Sequence, residues 1–266
     1  MKEEQIIAAL ARNPQGIRNI PNPTEAMKLA AVSHKGTLLE YMKDPSQAII
    51  DAALANDIKA IAFVNNPSED LQMEAVRQSW DNLRYIKAPT DAVVRAALAQ
   101  SGWAIQYVES PSEALQLEAI GQNYDALQYI KNPSAAVCLA ALQENYLALR
   151  YIEHPTAEME AVALRQDIQA ARLLTGITKE RALRLLAVSS RVLGYLSDDL
   201  GLTAEDVLGV WKEKLSAQDV DRVYIQELAE DGRKRVIYGQ TIDLAQVAYQ
   251  YGALEAKKIC MTVWLA

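Results

Sequence analysis

The chain has 266 residues, half of them apolar, with a net charge of −7 and a pI near 5.0. That content can bury the core of one or two domains, and the acidity disfavours nonspecific attachment to phosphate backbones, which depends on Lys and Arg displacing counterions. The opening MKEEQIIAALARN has neither a basic n-region nor a sustained apolar stretch, no run reaches the roughly 20 apolar residues of a membrane helix, and two thiols make no secreted disulfide framework, so a cytoplasmic protein is expected.

In chain order, the first signal is a beat of prolines. Pro23, Pro45, Pro67, Pro89, Pro111, Pro133 and Pro155 stand 22 residues apart, each followed by Ser or Thr. A fixed period carried by punctuation residues means one small unit copied along the chain. With the proline as position zero, the +8 column is Ala9, Ala31, Ala53, Ala75, Ala97, Ala119, Ala141 and Ala163, and the +9 column is aliphatic from Leu10 through Leu186. The frame therefore outlasts the prolines, giving nine units over residues 1–198.

Apolar residues at +4, +8 and +9, then at +16 and +19, follow helical spacing in two blocks, so each unit reads as a hairpin of two short helices. In Asn22-Pro23-Thr24-Glu25 and its copies, the residue before the proline is read as the N-cap and the proline as the first helical residue, with the following Glu reaching back. Short helices are marginal alone, so the hairpins must stack. Units at 45 and 89 are apolar at +5 (Ile50, Val94), whereas units at 67 and 111 carry Gln72 and Gln116 there and Met73 and Leu117 at +6. That shift would turn the buried stripe by about 100° and predicts a 44-residue alternation.

The last unit, 177–198, lacks the proline and puts Arg181 and Arg184 where apolar or small residues stood, which fits either a cap or a docking surface for the C-terminal segment. Beyond it the pattern becomes mixed. A helix is expected from Thr203, then strands in RVYIQEL and KRVIYG around a turn at Asp231-Gly232, a helix capped by Thr241 and ended by Gly252, and a strand in KKICMTVWL. Residues 199–266 are thus read as a small α+β domain leaning on the last repeat. The expected fold is an all-α, right-handed solenoid of helical hairpins over 1–198 with this module appended.

Three columns could carry function. The +18 column holds Tyr41, Phe63, Tyr85, Tyr107, Tyr129, Tyr151 and Tyr195, a ladder that could stack bases but that reads first as packing. Amides at +11 (Asn56, Gln78, Gln100, Gln122, Gln166) could close helix ends or offer a polar strip, while Arg18, Arg84, Arg150 and Arg172 at +17 are too interrupted for a phosphate track. The variable turn between the two helices supplies Trp80, Trp103, Tyr124 and Tyr146, which are the candidate interface residues, since Trp and Tyr are favoured anchors and variation on an indifferent scaffold is where specificity can be written. The competing reading is that these rings cover seams between units.

No catalytic or metal constellation is visible. His34 and His154 lie in different columns from each other and from the cysteines, no glycine loop matches a phosphate-binding fingerprint, and GRKR at 232–235 reads as a solvated hairpin edge, so no cofactor or metal is expected.

The phrases EAVRQSWDNLRYIKAP, EAIGQNYDALQYIKNPS and AALQENYLALRYIEHP resemble the short tandem helical repeats of an uncharacterised family found in bacterial and phage proteins. The resemblance covers about residues 23–176. It implies a repeat scaffold, is compatible with a phage origin and with a host or viral partner such as a defence enzyme, and brings no site residues with it. The expected function is a noncatalytic protein-binding scaffold, with a nucleic-acid-binding α-repeat protein as the alternative and no membrane partner.

Overall fold

The computed structural model describes residues 2–266. It is an all-α repeat array with a small α+β module at its C-terminal end. Among the described residues, nine α-helices of the array alternate with nine 3-10 helices of six residues each. The α-helices are α1 (Glu3–Arg12), α2 (Glu25–His34), α3 (Gln47–Asn56), α4 (Glu69–Gln78), α5 (Asp91–Leu98), α6 (Glu113–Gln122), α7 (Ala135–Glu144), α8 (Ala157–Gln166) and α9 (Lys179–Leu186). The 3-10 helices include Trp80–Tyr85, Gly102–Tyr107, Tyr124–Tyr129 and Tyr146–Tyr151.

The second helix of each unit is therefore 3-10 in place of the generic helix of the hairpin reading. The residue before it is extended, for example Ser79 at φ −163°, and only six residues remain before the next extended residue, Ile86. Three residues per turn then align +13 with +16, and the apolar residue at +19 is the extended one that closes the helix, so the pair at +16 and +19 does not require an α-turn. The +15 column, Leu38, Ala60, Asn82, Ala104, Ala126, Ala148, Ala170 and Val192, is buried too.

The expected cap is corrected by two residues. The N-cap is the Ser or Thr after the proline: the hydroxyls of Thr24, Ser46, Ser68, Thr90, Ser112, Ser134 and Thr156 accept from the backbone N–H three residues on. The proline sits one place outside the capped helix. Asn22, Asp44, Asn66 and Asn132, just before it, take positive φ and shape a left-handed turn, a conformation Asn and Asp tolerate best among side-chain-bearing residues. Glu25 accepts from the Ser46 hydroxyl of the next unit and does not reach back to its own cap.

The chain divides into two compact units, Met1–Asn132 and Pro133–Ala266. In each, α-helices pack on α-helices and 3-10 helices on 3-10 helices, as in α2 on α3 within the first and α7 on α8 within the second. The +8 alanines from Ala31 to Ala163 are completely buried, and a small side chain there lets backbones approach closely.

The stripe of the first helices does not turn by one residue. Gln72 at +5 is buried, its Nε2 donating to the Pro67 carbonyl at 2.9 Å, and Gln116 does the same to Pro111, while Leu117 at +6 is exposed. A two-unit rhythm does run through +19, where Met42, Ile86, Ile130 and Leu174 are buried and Val64, Val108, Ile152 and Leu196 are only half-buried.

Beyond the repeats come α10 (Ala204–Ser216), α11 (Arg222–Glu230), β1 (Lys234–Ile237), β2 (Gln240–Asp243), α12 (Leu244–Tyr251) and α13 (Leu254–Leu265). RVYIQEL is helical because Tyr224, Ile225, Leu228 and Ala229 bury one helical face. KKICMTVWL is helical too, with Ala256 and Cys260 one turn apart against α11. Asp231-Gly232 ends α11, with Gly232 at φ +103°, and the hairpin turn is Tyr238-Gly239, both at positive φ as a tight two-residue turn of this hand requires. Asp243, and not Thr241, caps α12. Leu186 of the last repeat lies in the same core as Trp211, Tyr224 and Cys260. Arg191 pairs with Glu230 and Ser189 with Glu227, so the atypical last repeat is the surface on which the module docks.

Candidate functional site

The site is built on the junction between the two helices of a unit. An α-helix ending at +11 leaves carbonyls unsatisfied, and the 3-10 helix starting at +13 leaves an N–H unsatisfied. A side-chain amide of the next unit closes both. Gln100 Oε1 accepts from the Trp80 N–H at 3.1 Å while its Nε2 donates to the Val76 carbonyl at 2.7 Å. Asn56 bridges the Gly36 N–H and the Ser33 carbonyl in the same way, and Asn123 accepts from the Gly102 N–H at 2.8 Å. These amides are joints of the scaffold.

At two of these junctions position +13 must be glycine. A Cβ on Gly102 would lie 2.1 Å from the Ala119 carbonyl oxygen, and one on Gly36 would lie 2.2 Å from that of Ala53. Elsewhere +13 is free to vary, and there it carries Trp80, Tyr124 and Tyr146.

Within the first compact unit, Trp80 stacks on Tyr107 of the following repeat with ring centroids 6.2 Å apart and planes inclined by 27°. The Tyr107 hydroxyl donates to Asp81 Oδ1 at 2.9 Å. Asp81 also holds Arg84, whose guanidinium lies 5.5 Å from the Tyr107 ring centroid and 5.6 Å from that of Tyr85. One unit further, the Trp103 indole N–H donates to Asp125 Oδ1 at 2.8 Å, and the ring remains 39 % exposed. Tyr124 is half-buried and Tyr129 is 40 % exposed. Trp80, Trp103 and Tyr124 thus stand on the stacked 3-10 helices of three successive repeats. Tyr146, in the second compact unit, is half-buried on its own 3-10 helix.

The stacking of Trp80 agrees with seam-covering for that ring, while Trp103 is presented outward with its N–H fixed. Arg84 and Tyr107, from the +17 and +18 columns, complete the edge with Asp81 and Asp125, which the sequence reading does not single out. One signal for the first two exists: Arg18 lies over Tyr41, Arg84 over Tyr107 and Arg172 over Tyr195, each pair 23 residues apart. An Arg at +17 sits over the tyrosine at +18 of the next unit, whereas Arg150 meets Leu173 at that place. The arginine column is therefore a set of cation–π covers.

Among the described residues no cluster of three or more His, Cys, Asp or Glu is placed to hold a metal. Cys138 is buried, and burial pushes its thiol up. The carboxylate lowered furthest is Asp206, held at about 2 by the Lys179 ammonium and by hydrogen bonds from Thr203, an arrangement that ties α9 to α10. No helix of the described residues is long and apolar enough to cross a membrane. No family model, curated protein or solved structure matches the chain.

Proposed function

We propose that the chain is a noncatalytic protein-binding scaffold in the cytoplasm, and that its binding edge is the 3-10 face carrying Trp80, Trp103 and Tyr124, with Tyr146 on the corresponding 3-10 helix of the second compact unit. The observation that carries this reading is Trp103. A large ring held by Asp125 at its N–H yet 39 % exposed offers apolar area at little further entropic cost, as an interface anchor requires. Asp81 is balanced by Arg84 and Asp125 flanks the Trp103 ring, so the edge carries no surplus cation for a phosphate backbone, which favours a protein partner. The likeness of the repeats to those of bacterial and phage proteins supports a search among host and viral complexes.

The test is a parallel capture from bacterial lysate with the wild type and with Trp103→Ala, a substitution at an exposed ring that leaves the repeat core intact. A stoichiometric partner retained by the first and lost by the second is expected. Identical captures, or salt-sensitive binding of labelled oligonucleotides by the wild type with no protein retained, would overturn the proposal.

A further inference from the structure

A cleft of about 500 Å³ opens between α12 and α13, within the size range of small-molecule sites. Its floor is apolar. Ala248 comes from α12 and Cys260 from α13, and the fully buried thiol, pushed up to about 11 by that burial, stays protonated and serves as wall. Tyr249 and Met261 stand at the mouth, 81 % and 52 % exposed, so apolar surface that a ligand could cover is left in water.

The polar groups at this cleft share one sign. Arg233 and Lys257 line it and no carboxylate does. Arg233 is held in place: Nη2 donates to the Trp264 carbonyl at 2.8 Å and the guanidinium lies 5.6 Å from the Trp264 ring centroid, while the Trp264 indole N–H is itself anchored on the Ala229 carbonyl at 3.0 Å. The carboxylates of the module pair with Lys179, Arg191, Arg222, Lys234 and Arg235. Among the described residues Arg233 and Lys257 have no carboxylate partner, although the chain as a whole is acidic.

We propose that this cleft binds an amphipathic carboxylate, its apolar body against Ala248, Cys260 and Met261 and its carboxylate on Arg233 at the Trp264 end. Lys257 stands two turns earlier on α13, its ammonium 5.6 Å from the Tyr249 ring centroid, so the trough discriminates by charge at the guanidinium and by chain along its apolar wall. This site is independent of the aromatic edge, so either can fail alone.

Dodecanoate below its micelle concentration is a suitable probe, measured by titration calorimetry on the full chain against dodecan-1-ol and dodecylamine. One-to-one binding of dodecanoate is expected, about ten-fold tighter than the alcohol, with the amine not bound. Arg233→Gln should bring the acid down to the level of the alcohol, and Met261→Glu should abolish both. The comparison of acid with alcohol on the wild type stands even where a variant folds poorly. No binding of dodecanoate, equal affinity for acid and alcohol, or full affinity in the folded Arg233→Gln variant would overturn the assignment.

Discussion

In the repeats, the junction between helices is closed from a distance of 20 to 24 residues: Asn56 serves Ser33 and Gly36, and Gln100 serves Val76 and Trp80. In the C-terminal module, helix starts are capped from nearby, as they are in the repeats, by Thr203 and Asp206 in a reciprocal box, by Asp221 and by Asp243, but each helix end is closed by a different group: the Ala253 N–H at Leu215, the Trp264 indole at Ala229 and Arg233 at Trp264. The contrast extends to the interior. Each repeat buries the same small columns against its neighbours, whereas the module gathers Trp211, Tyr224, Leu244 and Cys260 into one core that includes Leu186 of the last repeat. A repeat is thus incomplete without the next one, and its stability resides in nearest-neighbour joints. The module is completed by the final repeat, which explains why that repeat departs from the pattern.

The largest expected effect is where that departure begins. Arg181 occupies +4, a position apolar in the seven units before it, and its Nε donates to Glu160 Oε1 at 2.7 Å while Nη1 donates to the Thr175 carbonyl at 2.7 Å. Glu160 is only 3 % exposed. Arg181→Met leaves a buried carboxylate unpaired and should cost about 3–5 kcal/mol in urea unfolding, and Glu160→Met in the same chain should recover most of it. A single variant as stable as the wild type would show that the last joint contributes no more than a surface pair.

The joints between ordinary repeats are smaller targets. Gly102→Ala must displace the Ala119 carbonyl and should lose about 1–3 kcal/mol, whereas Gly121→Ala, with open space around its Cβ on α6, should gain about 0.5 kcal/mol. The opposite signs at two glycines 19 residues apart test the close approach directly, by urea midpoints. Gln100→Ala removes both bonds to the preceding repeat and should cost about 1–2 kcal/mol, with faster amide exchange at Trp80.

The same contrast explains what can be read from the sequence. The proline beat and the alanine column are legible because the repeats write the first demand seven times and the second eight. The cap is ambiguous because Asn and Asp suit both an N-cap and a left-handed turn, and only backbone geometry separates the two uses at Asn22 and Asn66. The 3-10 form is hidden because residues three apart share a face in either helix. In the module each demand is written once. RVYIQEL alternates like a strand over a few residues, and tertiary packing of Tyr224 and Leu228 decides for a helix. The aromatic residues of the edge are visible singly, but their partners are not: Trp80 meets Tyr107 across different columns of adjacent repeats, a pairing that no within-unit spacing reveals.

The smallest effect concerns the seam between the last repeat and the module, and it is read through pH. Asp206 on α10 is held at about 2, first by the Lys179 side chain on α9 and then by the Thr203 hydroxyl and N–H. A carboxylate lowered by folding stabilises the native state wherever it is ionised, so this contribution is complete above the ordinary carboxylate value near 4 and is lost as pH falls from there towards 2. Asp206→Asn should therefore lower the melting temperature slightly at pH 6 and flatten its decline between pH 4 and pH 2. Because the pair is solvent-exposed, added salt should shrink the pH 6 difference. Parallel curves for wild type and variant across that acid window would mean that the seam is held by Leu186 and its apolar neighbours with Arg191 and Ser189, and that the charge pair of α9 and α10 orients the module without stabilising it.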